Sequence, residues 1–144
     1  MKVAATKALV LDASVALAWC FADEKAPYSE AILDLLADGA HAVTPAIWPF
    51  EVANALLAGE KRQRITIAQV TSILRAITDL PISIDPVQMD HAFQQILVLA
   101  RQSNLTEYDA AYLELALRLN LPLATLDAQL KRAAQSIGVP LFRI

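Results

Sequence analysis

Cysteine, glycine and net positive charge are all scarce in this sequence, and each scarcity closes off a class of protein. Cys20 is the only cysteine among 144 residues. No internal disulfide can form, so a disulfide-stapled secreted scaffold is excluded. Only three glycines are present, and alanine and leucine are abundant, which favours helix over glycine-rich irregular chain. Lysine and arginine number 12 against 15 aspartates and glutamates, a net charge of −3. No overall basic field attracts nucleic acid, so such a partner would need a local basic patch or a metal ion at an acidic site. No uninterrupted apolar run reaches the roughly 18 residues of a membrane-spanning helix. Lys2 and Lys7 precede the apolar stretch Ala8–Ala22, as in a secretory leader, but Asp12 puts a charge in the middle of it, where such a leader carries none. The expectation is a cytoplasmic chain with no membrane partner.

The length suits one domain over residues 1–144 with a sizeable core. Ala8-Leu9-Val10-Leu11 reads as a buried parallel strand that stops at Asp12. Ser14 opens a short helix over Val15–Phe21. Pro27 suits the first turn of a second helix, which reaches Asp38 and stops at Gly39. His41–Thr44 reads as a strand and Trp48–Glu60 as a helix. Thr66 caps a helix to Asp79. Ile82–Ile84 reads as a strand, Val87–Gln102 as a helix, and Thr106 caps another helix to Leu119. Leu121–Thr125 is a fourth strand, Asp127 opens a helix to Ser136, and Pro140–Arg143 is a fifth strand at the edge. Strands alternating with helices predict an α/β fold with a parallel sheet covered on both faces.

The acids differ in setting. Asp23, Glu24, Asp34, Asp38, Asp79, Asp85 and Asp90 sit among polar residues or at element ends and read as solvated. Asp12, Glu51, Asp109 and Asp127 have mainly apolar neighbours and no adjacent lysine or arginine. A carboxylate pulled toward a core is costly unless it is paired, hydrogen-bonded or bound to metal. Asp12 and Asp127 follow predicted strands, and parallel sheets bind ligands beyond the carboxyl ends of their strands. Glu51 and Asp109 fall in first helical turns, so all four can meet on one rim. Four carboxylates without a nearby histidine or cysteine suit magnesium or manganese, one ion or two, better than zinc.

Each acid also has an ordinary explanation. Asp127 could be an N-cap, Asp109 half of a capping box with Thr106, Glu51 and Asn54 a solvated helix stripe, and Asp12 a turn residue. Ser14 could start a helix or serve the site near Asp12, and Thr125 could be a plain strand residue. His41 and His91 lack the spacing of a metal pair and read as structural. Trp48, Phe50 and Tyr108 read as core or interface rather than as base-stacking platforms. Lys61, Arg62 and Arg64 form a basic turn that could touch RNA phosphates.

Four segments, in order, carry a family resemblance: Val10-Leu11-Asp12-Ala13-Ser14, Glu51-Val52-Ala53-Asn54-Ala55-Leu56, Leu105-Thr106-Glu107-Tyr108-Asp109-Ala110-Ala111-Tyr112 and Leu123-Ala124-Thr125-Leu126-Asp127. Together they resemble the PIN-domain family, specifically VapC-type toxins of bacterial toxin–antitoxin pairs. The resemblance implies a three-layer α/β/α sandwich around a parallel sheet of about five strands. It implies an endoribonuclease dependent on Mg2+ or Mn2+, with Asp12, Glu51, Asp109 and Asp127 as the acidic quartet. Ser14, Asn54 and Thr125 would support them. It also implies a small VapB-like antitoxin as partner and a homodimer. Two other readings compete. One is a non-catalytic PIN scaffold that binds protein. The other is a receiver-type phosphoacceptor domain, which normally has paired acids after its first strand and a lysine after a late one; here Asp12 stands alone and no lysine follows Leu121–Thr125.

Overall fold

The computed structural model describes residues 7–144; Lys2, which entered the question of a leader, lies outside them. The chain opens with strand β1 (Ala8–Leu11) and helix α1 (Ala13–Cys20), then α2 (Pro27–Ala37), β2 (His41–Pro45), α3 (Trp48–Lys61) and α4 (Ile67–Thr78). Next come β3 (Ile82–Asp85), α5 (Leu97–Ser103), α6 (Glu107–Leu119), β4 (Leu123–Ala124) and α7 (Ala128–Ile137). Every strand pairing is parallel, in the order β3-β2-β1-β4. The chain steps outward from β1 to β2 to β3 and then crosses back to place β4 on the other side of β1. The crevice between β1 and β4 is therefore the switch point of the sheet, where open parallel sheets bind their ligands.

Leu9, Val10 and Leu11 of β1 and Leu123 and Ala124 of β4 are fully buried, as continuous apolar strands covered on both faces should be. Helix α6 lies across β1, β2 and β4 with α5 against it, and α1 packs on α2 and α3. This is the three-layer arrangement that the alternating pattern predicts. Gly39 after α2 and Gly138 after α7 take positive φ, +106° and +81°, which glycine adopts without strain at a helix end.

Among the described residues the sheet has four strands rather than about five. Pro140–Arg143 makes a single bridge, Leu141 beside Leu123, with Leu123 N–H bonded to Pro140 O and Phe142 N–H to Leu123 O. Pro140 has no N–H to extend the ladder, and β4 offers only two residues to pair with. Pro122 likewise trims the expected Leu121–Thr125 strand. The helix expected from Val87 starts at Met89, and its segment His91–Ile96 is π-helical. Pro86 holds the preceding Asp85 extended, in β3. Asp85 is not a solvated acid but pairs with Arg118 Nη2 at 2.6 Å.

Gly59 is required by packing. A Cβ there would stand 2.8 Å from Phe21 Cε1 and 3.2 Å from Ile65 Cγ2. The Phe21 ring is itself buried and held under the Arg64 guanidinium, 4.3 Å from its centroid. Gly59→Ala gains up to about 1 kcal/mol of helix propensity but overpacks this contact at a cost of about 1–3 kcal/mol. The expected result is a net loss of about 1 kcal/mol, read as a lower urea midpoint with unchanged slope.

Candidate active site

Asp12 stands at the end of β1 with its N–H bonded to Ala124 O of β4, so the backbone places it in the switch-point crevice. Its side chain is 6% exposed. It occupies the N-cap position of α1 but makes no capping bond. Instead its Oδ2 accepts from Ser14 Oγ at 2.6 Å and from Thr125 Oγ1 at 2.8 Å. Thr125 in turn accepts the Asp127 N–H at 3.0 Å, and Ser14 Oγ accepts the Leu126 N–H at 2.9 Å. Two hydroxyls thus tie the turns after β1 and β4 to one carboxylate oxygen. Neither hydroxyl is bonded to Oδ1.

The other acids come from first helical turns. Glu51, in the first turn of α3, accepts from the Tyr112 hydroxyl of α6 at 2.6 Å. Asp109 lies in the first turn of α6, where Thr106 caps the helix by accepting the Asp109 N–H at 3.1 Å. Asp127 is the N-cap of α7, its Oδ1 accepting from Leu130 N–H at 2.9 Å. The ordinary capping role of Asp127 therefore coexists with its place in the crevice. Burial raises the pKa of Asp12, Glu51 and Asp109 above ordinary carboxylate values. Neighbouring carboxylates raise them further: Asp127 acts on Asp12, Asp12 and Asp109 on Glu51, and Asp12 and Asp127 on Asp109. Each of the four acids thus lies within electrostatic reach of at least one other.

The side chains do not close into a ready-made cage. Among the described residues, no group of three or more His, Cys, Asp or Glu side chains is close enough to hold an ion as it stands. Like charges in low dielectric favour standing apart. The donor set still fits a hard divalent cation: every donor is a carboxylate oxygen, and magnesium uses one or two carboxylates and completes its shell with water. Asp12, fixed at Oδ2, is the member best placed to anchor such an ion.

Asn54 is exposed on α3 three residues after Glu51, hence on the same side of the helix. Lys61, Arg62 and Arg64 do not join the acids. Lys61 lies about 15 Å along α3 from Glu51, at 1.5 Å per residue. Arg64 is committed to Asp23 at 3.1 Å and Glu24 at 3.7 Å. Tyr112, the hydrogen-bond donor to Glu51, is the contact that the sequence reading missed. It resembles a core aromatic, and nothing local signals a partner 61 positions away.

Among curated proteins no sequence match is found. The family model for the PIN domain matches residues 9–136. The chain belongs to the PIN domain family. Two solved structures show how widely this PIN fold is shared. The protein PAE2754 of Pyrobaculum aerophilum superposes with a TM-score of 0.67 at 20% identity, over 92% of this chain and 87% of that one. Mycobacterium tuberculosis VapC20, a sarcin–ricin loop cleaving toxin, superposes with a TM-score of 0.64 at 13% identity, over 94% of this chain and 99% of that one. Membership of the PIN family sets the receiver-type reading aside.

Two expectations follow from the electrostatics of this PIN site. Metal-free protein should gain stability on acidification from neutral pH. Asp12 and Asp109, ordinarily near 3.8, titrate higher when folded. The folded state then binds more protons than the unfolded one, and stability falls as pH rises through the raised values. Thermal melts in chelator, followed from neutral pH down toward the ordinary carboxylate range, should show Tm rising as these acids protonate, and a Tm that only falls would contradict it. Tyr112→Phe should cost about 1 kcal/mol, because Glu51 is only half-buried and water replaces part of the lost bond. The lost donor should also raise the Glu51 pKa further, a change readable by carboxyl NMR titration.

Proposed function

We propose that this PIN-domain chain is an endoribonuclease dependent on Mg2+ or Mn2+ that serves as the toxin of a toxin–antitoxin pair. The observation that carries the proposal is the Asp12 carboxylate, buried at the switch point and strapped by Ser14 and Thr125, with Glu51, Asp109 and Asp127 acting on it or on one another. A domain that used this scaffold only for protein contacts would have no reason to bury mutually repelling carboxylates.

In this reading Asp12, Glu51, Asp109 and Asp127, from β1, α3, α6 and α7, would hold the metal. One or two bound cations would activate water, neutralise the scissile phosphate and stabilise the leaving oxygen. The chain's own contribution is orientation. Ser14 and Thr125 fix the Asp12 carboxylate, Tyr112 fixes that of Glu51, and the Leu130 N–H fixes one oxygen of Asp127. Such positioning places reacting groups without reorganisation during the reaction. RNA as the substrate is supported by family resemblance, as are a VapB-like antitoxin, a homodimer and a cytoplasmic setting. The described residues contain no helix long and apolar enough to cross a membrane.

The test incubates the purified chain with matched RNA and DNA strands in magnesium. Discrete RNA fragments with intact DNA support the proposal. Intact RNA, or equal cleavage of both, refutes it.

A further inference from the structure

A cavity of about 270 Å3 is lined by residues of α3, α6 and the segment after β3, and none of the four acids is in its wall. Two of its lining residues are chain neighbours of the quartet: Phe50 precedes Glu51, and Tyr108 precedes Asp109. Both aromatics are largely exposed, Phe50 at 72% and Tyr108 at 62%. Trp48, read alongside them from sequence, is buried instead. Large apolar rings displayed beside a phosphodiester-cleaving site are what single-stranded nucleic acid uses for stacking.

The polar lining narrows the ligand. Glu107 Oε1 is buried without a hydrogen-bond partner. Glu114, 8% exposed, is bonded by Arg118 Nε at 2.8 Å, and Arg118 Nη2 also reaches Asp85 at 2.6 Å. His91 lies 3.8 Å from Glu114. Three carboxylates thus face one guanidinium and one imidazole. A phosphate is repelled by that balance, whereas a neutral ring with N–H donors at its edge is attracted.

We propose that this cavity binds one unpaired nucleobase of the RNA strand next to the bond being cleaved, stacked on Phe50 and Tyr108 with an amino-group edge toward Glu107. This rests on the ribonuclease reading. Adenine, cytosine and guanine carry such an amino group. Uracil offers a single N–H between two carbonyl oxygens, which carboxylates disfavour. The cavity's size suits one ring system rather than the length of a helix, which favours a base over a polypeptide arm.

The test uses a short single-stranded RNA that the wild-type chain cleaves at one bond. Nucleotides on each side of the bond are replaced in turn by each base, by an abasic residue, and by fluorescent 2-aminopurine. At one flanking position the wild type should prefer amino-bearing bases over uracil or an abasic residue by about tenfold or more in kcat/KM. Phe50→Ala and Glu107→Gln should each shrink that preference toward one. The wild type should also quench the 2-aminopurine at that position, and Phe50→Ala should not. Cleavage with no base preference at either flank, or with a preference that both variants keep, overturns the base pocket and leaves the nuclease intact. Absence of any cleavage by the wild type would instead strike at the nuclease reading itself.

Discussion

Asp12→Asn should lower metal-dependent RNA cleavage by a factor of about a hundred or more, the scale seen when one preorganised electrostatic group is removed from an active site. The fold should survive. A carboxamide oxygen has two lone pairs, so it can still accept from Ser14 Oγ and Thr125 Oγ1, which both bond to Oδ2 in the native chain. Only the charge is lost, and that charge is buried beside Asp127. Metal-free Asp12→Asn should therefore melt at or a few degrees above the wild type. Magnesium should raise the Tm of the wild type by mass action and leave that of the variant nearly unchanged. A variant that unfolds would show only that the carboxylate is structural. A variant that is stable and still cleaves would remove Asp12 from the site.

Thr125→Val is the second large effect, and it acts through the strap. The side chain is 1% exposed and has almost the shape of valine. Its hydroxyl donates to Asp12 at 2.8 Å and accepts the Asp127 N–H at 3.0 Å. Valine leaves that N–H without an acceptor and the Asp12 carboxylate with one donor fewer. The expected cost is about 2–3 kcal/mol, or roughly 5–10 °C in Tm. The bond from Thr125 lowers the Asp12 pKa, so its loss raises that pKa, and the acid limb of the pH–activity profile should move to higher pH. Thr125→Ser keeps both bonds and should restore the profile with little loss of stability. A purely packing role for Thr125 predicts the reverse order, with valine milder than serine.

The four carboxylates stood out as candidates in the sequence because chain neighbours report burial: Leu-Val-Leu before Asp12 lies in β1, and Leu123-Ala124 of β4 ends just before the turn to Asp127. Parallel strands then place both acids on the same edge of the sheet. Ser14 and Thr125 were readable as polar residues beside those acids, but not as two donors to one oxygen, since that bond joins positions 113 apart. Tyr112 was hidden for the same reason. Glu114 and Arg118 are four apart on a predicted helix, a spacing that does signal a pair, yet the link onward to Asp85 needs β3 and α6 brought together. The fifth strand failed on a local fact, the prolines at 122 and 140, whose missing N–H groups outweigh apolar composition. Phe50 and Tyr108 read as core or interface by residue type, and only their exposure in the structure shows that they are displayed.

The most direct test of the account is cleavage of one defined RNA by the wild-type chain as metal is titrated. Cleavage should vanish in chelator and return on adding Mg2+ or Mn2+ in excess. Undiminished cleavage in chelator would contradict a site built on these four carboxylates.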